Sequence, residues 1–168
     1  MLNRNSKTKP NYAFIDAQNL YKGIEEQNWI LDYKKFRIYL KEKYKVEKAY
    51  LFIGYVSENQ DLYTTLQESG FLLKFKPVLY KENGIKQGNV DADLALNIMR
   101  YYSEYSNAVI VTSDGDFDTT VRYLRKKHKL GVVLSPHVDT CSALLKIEAQ
   151  SKIDFIYNFK SKVEKIKP

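Results

Sequence analysis

Residues 107–118 have the sequence Asn-Ala-Val-Ile-Val-Thr-Ser-Asp-Gly-Asp-Phe-Asp. The apolar residues 108–111 are typical of a short buried strand, and a helix is predicted to begin at about Asp116. Two hydroxyls, two acids and a glycine occupy the turn between them. Capping the helix requires one carboxylate, and this segment offers a second acid and then Asp118. Because glycine allows a tight turn, both Asp114 and Asp116 are predicted to face one edge of the sheet.

The rest of the chain alternates short apolar runs with amphipathic helical segments, which indicates βαβ units around a parallel sheet. Strands are predicted near residues 12–15, 48–54, 71–75, 107–111 and 130–134. A loop or loose hairpin is predicted for residues 77–90, followed by a helix from Asp91 to about Tyr105 with an apolar stripe of Ala95, Ile98, Met99 and Tyr102. A helix is also predicted from about Asp139, and a final segment near residues 155–159 completes the domain. We therefore predict a three-layer α/β domain with a central parallel sheet of about five strands.

Two further stretches place acids next to strands or helices. Asp16 directly follows a buried strand, with Asn19 three residues later, and Asp91 and Asp93 open a predicted helix. The carboxyl ends of parallel strands meet in one crevice, so these acids and those at 114–116 are expected to converge there. The simpler alternative is that Asn19 and Asp91 cap helices.

Like charges gathered in one crevice repel one another unless a cation neutralises them. Carboxylate oxygens are the ligands that hard cations prefer, so the sequence predicts a Mg²⁺ or Mn²⁺ site for an anionic substrate. The sequence contains no phosphate-binding loop and no dinucleotide fingerprint. Neither His128 nor His137 lies in a pattern suggestive of a catalytic triad, and Cys141 is predicted to pack in the core.

The net charge of +7 over 168 residues is unevenly distributed. Basic residues predominate in the segments 1–10 and 160–168, which we predict to be tails flanking a domain at 11–159. Basic runs also occupy residues 34–48 and 122–129. An acidic centre with basic flanks suits a polyanion such as nucleic acid, although each run alone is typical of a solvated helix surface.

Several classes of protein are disfavoured by composition. Apolar runs fall well short of the roughly 20 residues that span a bilayer, and the N-terminus is polar and lacks the features of a signal peptide. A single cysteine provides no disulfide framework. A cytoplasmic protein without membrane partners is therefore expected.

Three blocks, at residues 14–20, 86–95 and 111–125, resemble in order and spacing the signature blocks of the NYN domain family, LabA type. That family belongs to the PIN-like nuclease superfamily. The resemblance covers about residues 11–159. It departs from the family pattern at Ala17, where glycine is usual, and near His128, close to a common glycine.

The resemblance implies a PIN-like parallel sheet with strand order 3-2-1-4-5 and a metal-dependent ribonuclease. The catalytic residues implied by motif match are Asp16, Asp91, Asp114 and Asp116. The predicted metal ligands are these four and Asp93. The predicted substrate-binding residues are Asn19, Lys86, Thr112, Ser113, Arg122 and Arg125.

Arg122 and Arg125 are three residues apart, so they share a helix face and are predicted to contact phosphates; the alternative is an exposed basic surface. Two functions from different classes remain open. The first is a Mg²⁺- or Mn²⁺-dependent ribonuclease acting on single-stranded RNA. The second is a regulatory RNA-binding module with little or no cleavage, favoured by the basic segments and by tyrosines available for base stacking. A homodimer of this chain is also left open.

Overall fold

The structure of the chain is a computed structural model that describes residues 8–80, 82–84, 86–87 and 89–166. Its strands are β1 (Asn11–Asp16), β2 (Val46–Tyr55), β3 (Leu72–Pro77), β4 (Leu79–Tyr80), β5 (Lys86–Gln87), β6 (Ala108–Val111), β7 (Leu130–Ser135) and β8 (Ile153–Phe155). Its α-helices are α1 (Ala17–Glu25), α2 (Tyr33–Tyr44), α3 (Gln60–Glu68), α4 (Asp91–Arg100), α5 (Asp118–Lys126), α6 (Ala143–Ala149) and α7 (Lys160–Val163). No helix in these ranges is both long enough and apolar enough to cross a bilayer.

The central sheet contains six parallel strands in the order β3-β2-β1-β6-β7-β8. The prediction of a parallel α/β sheet is confirmed, and the first five strands have the order that the family resemblance implied. The sixth strand, β8, lies at the edge beside β7. It has only three residues, with Asp154 between two apolar ones, so its sequence carries a weak strand signal. The predicted hairpin at 77–90 contains the antiparallel pair β4 and β5.

Helices cover both faces of the sheet because each central strand is apolar on both sides. Ala13 and Ile15 of β1 join a buried cluster with residues of α1, α2, α3 and α7. Tyr12 and Phe14, which alternate with them, join a second cluster with residues of α4, α5 and α6. The domain therefore has three layers, with its core divided between the two faces of the sheet.

Two predicted helices differ from the observed ones. The helix expected to reach Tyr105 ends as an α-helix at Arg100, and Met99, assigned to its apolar stripe, is 43% exposed. Ile98, also on the predicted stripe, is fully buried, and so is Leu94, which lay outside it, because the face of α4 that meets the sheet is set by its docking against Phe14 and its neighbours. The helix expected from Asp139 begins only at Ala143.

The tyrosines proposed for base stacking are in large part core residues. Tyr12, Tyr50 and Tyr105 are buried, and the ring of Tyr50 stacks on that of Tyr101 with a centroid distance of 4.8 Å. A tyrosine ring supplies much apolar area to a core, so its abundance alone is weak evidence for nucleic-acid binding. The tyrosines therefore give the RNA-binding alternative much less support than their number suggests.

The segment beyond residue 159, predicted as a basic tail, packs against the domain as far as it is described. Val163 is fully buried, and its carbonyl accepts a hydrogen bond of 2.8 Å from the backbone N–H of Asp32. The backbone N–H of Lys165 donates to the Ile30 carbonyl at 2.8 Å. The lysines conceal this apolar contact in the sequence. Residues 1–7 of the predicted N-terminal tail and residues 167–168 lie outside the described residues.

Candidate active site

Two adjacent strands bring the first and third acidic stretches together. β1 pairs in parallel with β6, with Ile15 opposite Val111, so Asp16 and the residues after Val111 leave the sheet at the same edge. The chain runs from β1 to one side of the sheet and reaches β6 on the other side only after β3. Such a reversal of strand order opens a crevice at the carboxyl edge of a parallel sheet.

Three carboxylates from two segments form the centre of this crevice. Asp91, the first residue of α4, lies with Asp114 and Asp116 so that one oxygen from each falls within 4.8 Å of the others. Asp91 and Asp114 are partly buried and Asp116 is exposed. We call this set the acidic group. It unites three of the four residues that the family motif assigned to catalysis.

The fourth, Asp16, is a buried carboxyl beside the acidic group. It is 6% exposed, and its Oδ1 accepts a hydrogen bond of 3.1 Å from the backbone N–H of Asn19, which caps α1. Burial raises the pKa of Asp16 to about 6, and the charges of Asp91 and Asp114 act in the same direction. Asp16 therefore caps α1, and its pKa depends on the charge of the acidic group.

The pKa of Asp91 is also raised, chiefly by burial. The neighbouring charges of Asp114 and Asp116 add to this effect, while a hydrogen bond with Asn89 opposes it. A site whose own carboxylates disfavour one another's ionisation is suited to hold a positive charge.

Hydrogen bonds fix the loop that presents Asp114. The side-chain oxygen of Asn19 accepts from both the backbone N–H of Ser113 at 2.8 Å and the Ser113 hydroxyl at 3.0 Å. Thr112 is fully buried, and its hydroxyl oxygen accepts from the Asp114 N–H at 3.2 Å. The Asp114 carboxylate in turn accepts from the Asp116 N–H at 2.9 Å. Asn19, Thr112 and Ser113 thus position the acids through the loop.

Glycine at position 115 lets this loop approach α6. A Cβ there would lie 2.5 Å from the Ser142 hydroxyl oxygen, and the Ser142 backbone N–H donates to the Ser113 carbonyl at 3.0 Å. A side chain at 115 would push Ser142 away and loosen the loop. The glycine in the predicted turn is therefore explained by a close approach.

An open cavity of about 540 Å³ lies over Asp16, Asp91 and Asp114. One face of α1 lines it with Asn19, Lys22 and Gly23, and Glu26, the residue directly after α1, continues the spacing i, i+3, i+4 and i+7. Gln18 and Thr140 also line the cavity. Lys22 and Glu26 were not among the predicted site residues, although helical spacing from Asn19 would place them on this face.

Of the two other predicted site residues in the second block, Asp93 stands apart from the acidic group. The Asp93 carboxylate pairs with the Lys76 amine at 2.9 Å, and both side chains are partly exposed. Asp93 lies two positions beyond Asp91, which turns its side chain toward β3. Lys86 lies in β5, and its side chain is outside the described part of the structure.

The two predicted phosphate-binding arginines contact α6. Arg122 lies 3.4 Å and Arg125 3.2 Å from the Glu148 carboxylate, and the Arg125 Nε–H donates to the Glu148 carbonyl at 2.6 Å. These bonds hold α5 against α6, so both arginines already have a structural role. Their contact with RNA stays a prediction.

Comparisons with known proteins agree with this fold. The model of the NYN domain matches residues 12–154. The low amplitude and bright protein LabA of Synechococcus elongatus is 24% identical over 135 residues, which cover 73% of this chain and 71% of LabA. The crystal structure of a protein of unknown function from Vibrio parahaemolyticus has a TM-score of 0.79 at 20% identity, covering 96% of this chain and 99% of that chain, and shares its fold.

NYN domains are generally nucleases, typically use divalent metals and act on nucleic acid. The match spans most of the chain and includes the acidic group. The chain therefore belongs to the NYN domain family of the PIN-like nuclease superfamily.

Proposed function

We propose that this protein is a Mg²⁺- or Mn²⁺-dependent ribonuclease that hydrolyses phosphodiester bonds of single-stranded RNA. The observation that carries the proposal is the convergence of Asp91, Asp114 and Asp116 within 4.8 Å at the carboxyl edge of the sheet. Three unneutralised carboxylates at that separation repel one another, and a cation would relieve the repulsion.

The donor set fits a hard divalent cation. Asp91, Asp114 and Asp116 offer carboxylate oxygens, and the adjoining cavity leaves room for water and a phosphate group. Asp16 would hold the cation directly or through a bound water. When bound, such a cation lowers the pKa of a coordinated water and neutralises charge that develops on the phosphate oxygens.

The chain's own residues would supply orientation and charge. Asn19 and Ser113 hold the Asp114 loop in place, so the carboxylates need little rearrangement when substrate arrives. Lys22 is a cation on the wall of the same cavity and is the residue we assign to a substrate phosphate. Glu26, which directly follows α1 and lines the same cavity, is available to accept a proton.

The experiment is cleavage of a labelled single-stranded RNA by the purified protein. The proposal predicts cleavage with Mn²⁺ or Mg²⁺, none in excess EDTA, and recovery when metal is restored. A protein that binds this RNA equally well with metal and with EDTA, and cleaves it in neither, would instead be the regulatory RNA-binding module. A duplex DNA of the same sequence serves as the control for substrate class.

A further inference from the structure

A second cavity, of about 520 Å³, opens next to the acidic one. We call it the apolar cavity. It lies between α1, the carboxyl end of β2 and α3, and its wall includes Tyr21, Tyr33, Asn59 and Leu62. Its volume is within the roughly 300–1,000 Å³ of small-molecule sites. Nothing in the proposed chemistry at the acidic group uses it.

The two cavities are neighbours. Gln18 and Val90 line both of them. Gln18 lies two residues after Asp16, and Val90 directly precedes Asp91, so the residues that the two cavities share are close in sequence to two of the acids. A molecule whose phosphate occupies the acidic cavity could therefore extend into the apolar one.

The chemistry of the wall favours an uncharged occupant. Every described residue that lines the apolar cavity is uncharged, in contrast to the acids and Lys22 of the neighbouring cavity. Two tyrosines and several aliphatic side chains provide flat apolar surface. The side-chain amides of Gln18 and Asn59 provide hydrogen-bonding groups at the wall. A planar, neutral group with polar edges fits this surface.

The tyrosine rings are held in advance of binding. The Tyr21 hydroxyl donates to the Glu25 carboxylate at 2.8 Å, and the Tyr33 ring packs edge-on against Phe71 with a centroid distance of 6.2 Å. At the far wall, Val78 packs so closely on Gly54 that a Cβ at position 54 would lie 2.7 Å from the Val78 side chain. A wall fixed in this way binds a flat ligand at low entropic cost.

From this geometry we infer that the apolar cavity binds a nucleobase of the substrate, the base of a nucleotide whose phosphate lies at the acidic group. The inference rests on the proposed function for the position of that phosphate. Base stacking on aromatic side chains, with hydrogen bonds to base edges, is how proteins hold unpaired nucleotides. The cavity would give the enzyme its preference for unpaired RNA.

Small ligands that cannot be cleaved test the inference without relying on catalysis. The four nucleoside 5′-monophosphates and ribose 5-phosphate are titrated into the native protein with Mg²⁺ by isothermal calorimetry. Ribose 5-phosphate carries the phosphate and sugar without a base. At least one nucleotide should bind roughly 5-fold or more tightly than ribose 5-phosphate, as expected for one stacked base.

Leu62→Trp tests the location, because Leu62 is 39% exposed at the rim and a larger side chain would fill the cavity. This variant should lose the advantage of the nucleotide while its affinity for ribose 5-phosphate stays unchanged. Leu144→Trp is the matched control, since Leu144 is 55% exposed on α6 and does not line the cavity. It should retain the full advantage.

Nucleotides that bind no tighter than ribose 5-phosphate would overturn the inference. So would a nucleotide advantage that survives Leu62→Trp. If Leu62→Trp changed only the oligomeric state on size-exclusion chromatography, the cavity would belong to a contact with a second copy and the inference would also fail. If the native protein binds the base of a nucleotide in this cavity but cleaves no RNA, the proposed ribonuclease function would be refuted and the base-binding inference would not.

Discussion

The side-chain oxygen of Asn19 accepts two hydrogen bonds from Ser113, one from its backbone N–H at 2.8 Å and one from its hydroxyl at 3.0 Å. This pair joins the first turn of α1 to the loop that carries Asp114. The two halves of the site come from segments 94 residues apart in sequence, and this contact fixes them to each other.

The first prediction concerns this contact. Asn19→Ala leaves the Ser113 N–H without its acceptor in a partly buried place, so the free energy of unfolding should fall by about 1–3 kcal/mol. Ser113→Ala removes only the hydroxyl bond and should cost about 0.5–1.5 kcal/mol. Urea denaturation of both variants checks the order. A Ser113→Ala variant as unstable as Asn19→Ala would contradict it.

The second prediction concerns pH. The Asp16 pKa is raised from 3.8 to about 6 in the folded protein, so between these values the folded state binds more protons than the unfolded state. The free energy of unfolding of the metal-free protein should therefore fall as pH rises from about 4 to about 6, by about 2–3 kcal/mol.

Asp16→Asn tests that effect, because asparagine keeps the helix cap without the charge. In EDTA the variant should lose most of the decline between pH 4 and 6, as measured by chemical denaturation. The matched control is Asp32→Asn, another cap residue, which accepts a hydrogen bond from the Lys35 N–H at 3.0 Å. It should keep the decline. An unchanged decline in Asp16→Asn would assign it to other groups.

The third prediction separates two neighbouring acids of α4. Asp91 belongs to the acidic group, and Asp93 pairs with Lys76. Mn²⁺ at 100 times its dissociation constant should stabilise the native protein by about 2.7 kcal/mol, visible as a thermal shift. Asp91→Asn should abolish most of that shift and Asp93→Asn should retain it. The reverse result would make Asp93 the metal ligand, a role that was predicted for it from the sequence.

The fourth prediction concerns the path of the RNA backbone. Lys22 lines the acidic cavity, so Lys22→Ala should reduce the slope of log affinity against log salt by roughly 0.7, the value for one phosphate contact on a single strand. If Arg122 and Arg125 also contact phosphates, the double variant Arg122→Ala and Arg125→Ala should reduce this slope as well, by roughly 0.7 for each arginine. A slope altered only by Lys22→Ala would leave the arginines with their Glu148 contact alone.

The sequence was sufficient to predict the parallel sheet and the three residues of the acidic group. Continuous apolar runs such as 108–111 mark central strands, and acids directly after them must reach the carboxyl edge. Local sequence also bears on position 128, since His128 has a φ of 55° close to the place where the family commonly has glycine. These features depend on local sequence, which explains why they could be predicted.

Features that depend on docking could not be predicted in this way. β8 has three residues and gains its identity only from its pairing with β7. Glu148 forms ion pairs with Arg122 and Arg125 because α6 lies beside α5. The spacing of residues along α5 does not reveal this contact. Lys22 reaches the site because α1 turns that face toward the crevice.

The most direct test of the central claim is the rate of RNA cleavage by Asp114→Asn compared with that of the native protein at saturating Mn²⁺. We expect the variant to lose at least about 100-fold, the scale of one essential charged group in an active site. Asp61→Asn, which alters an exposed acid of α3, should cleave at the native rate. Cleavage by Asp114→Asn at the full native rate would contradict the assignment of the acidic group as the catalytic site.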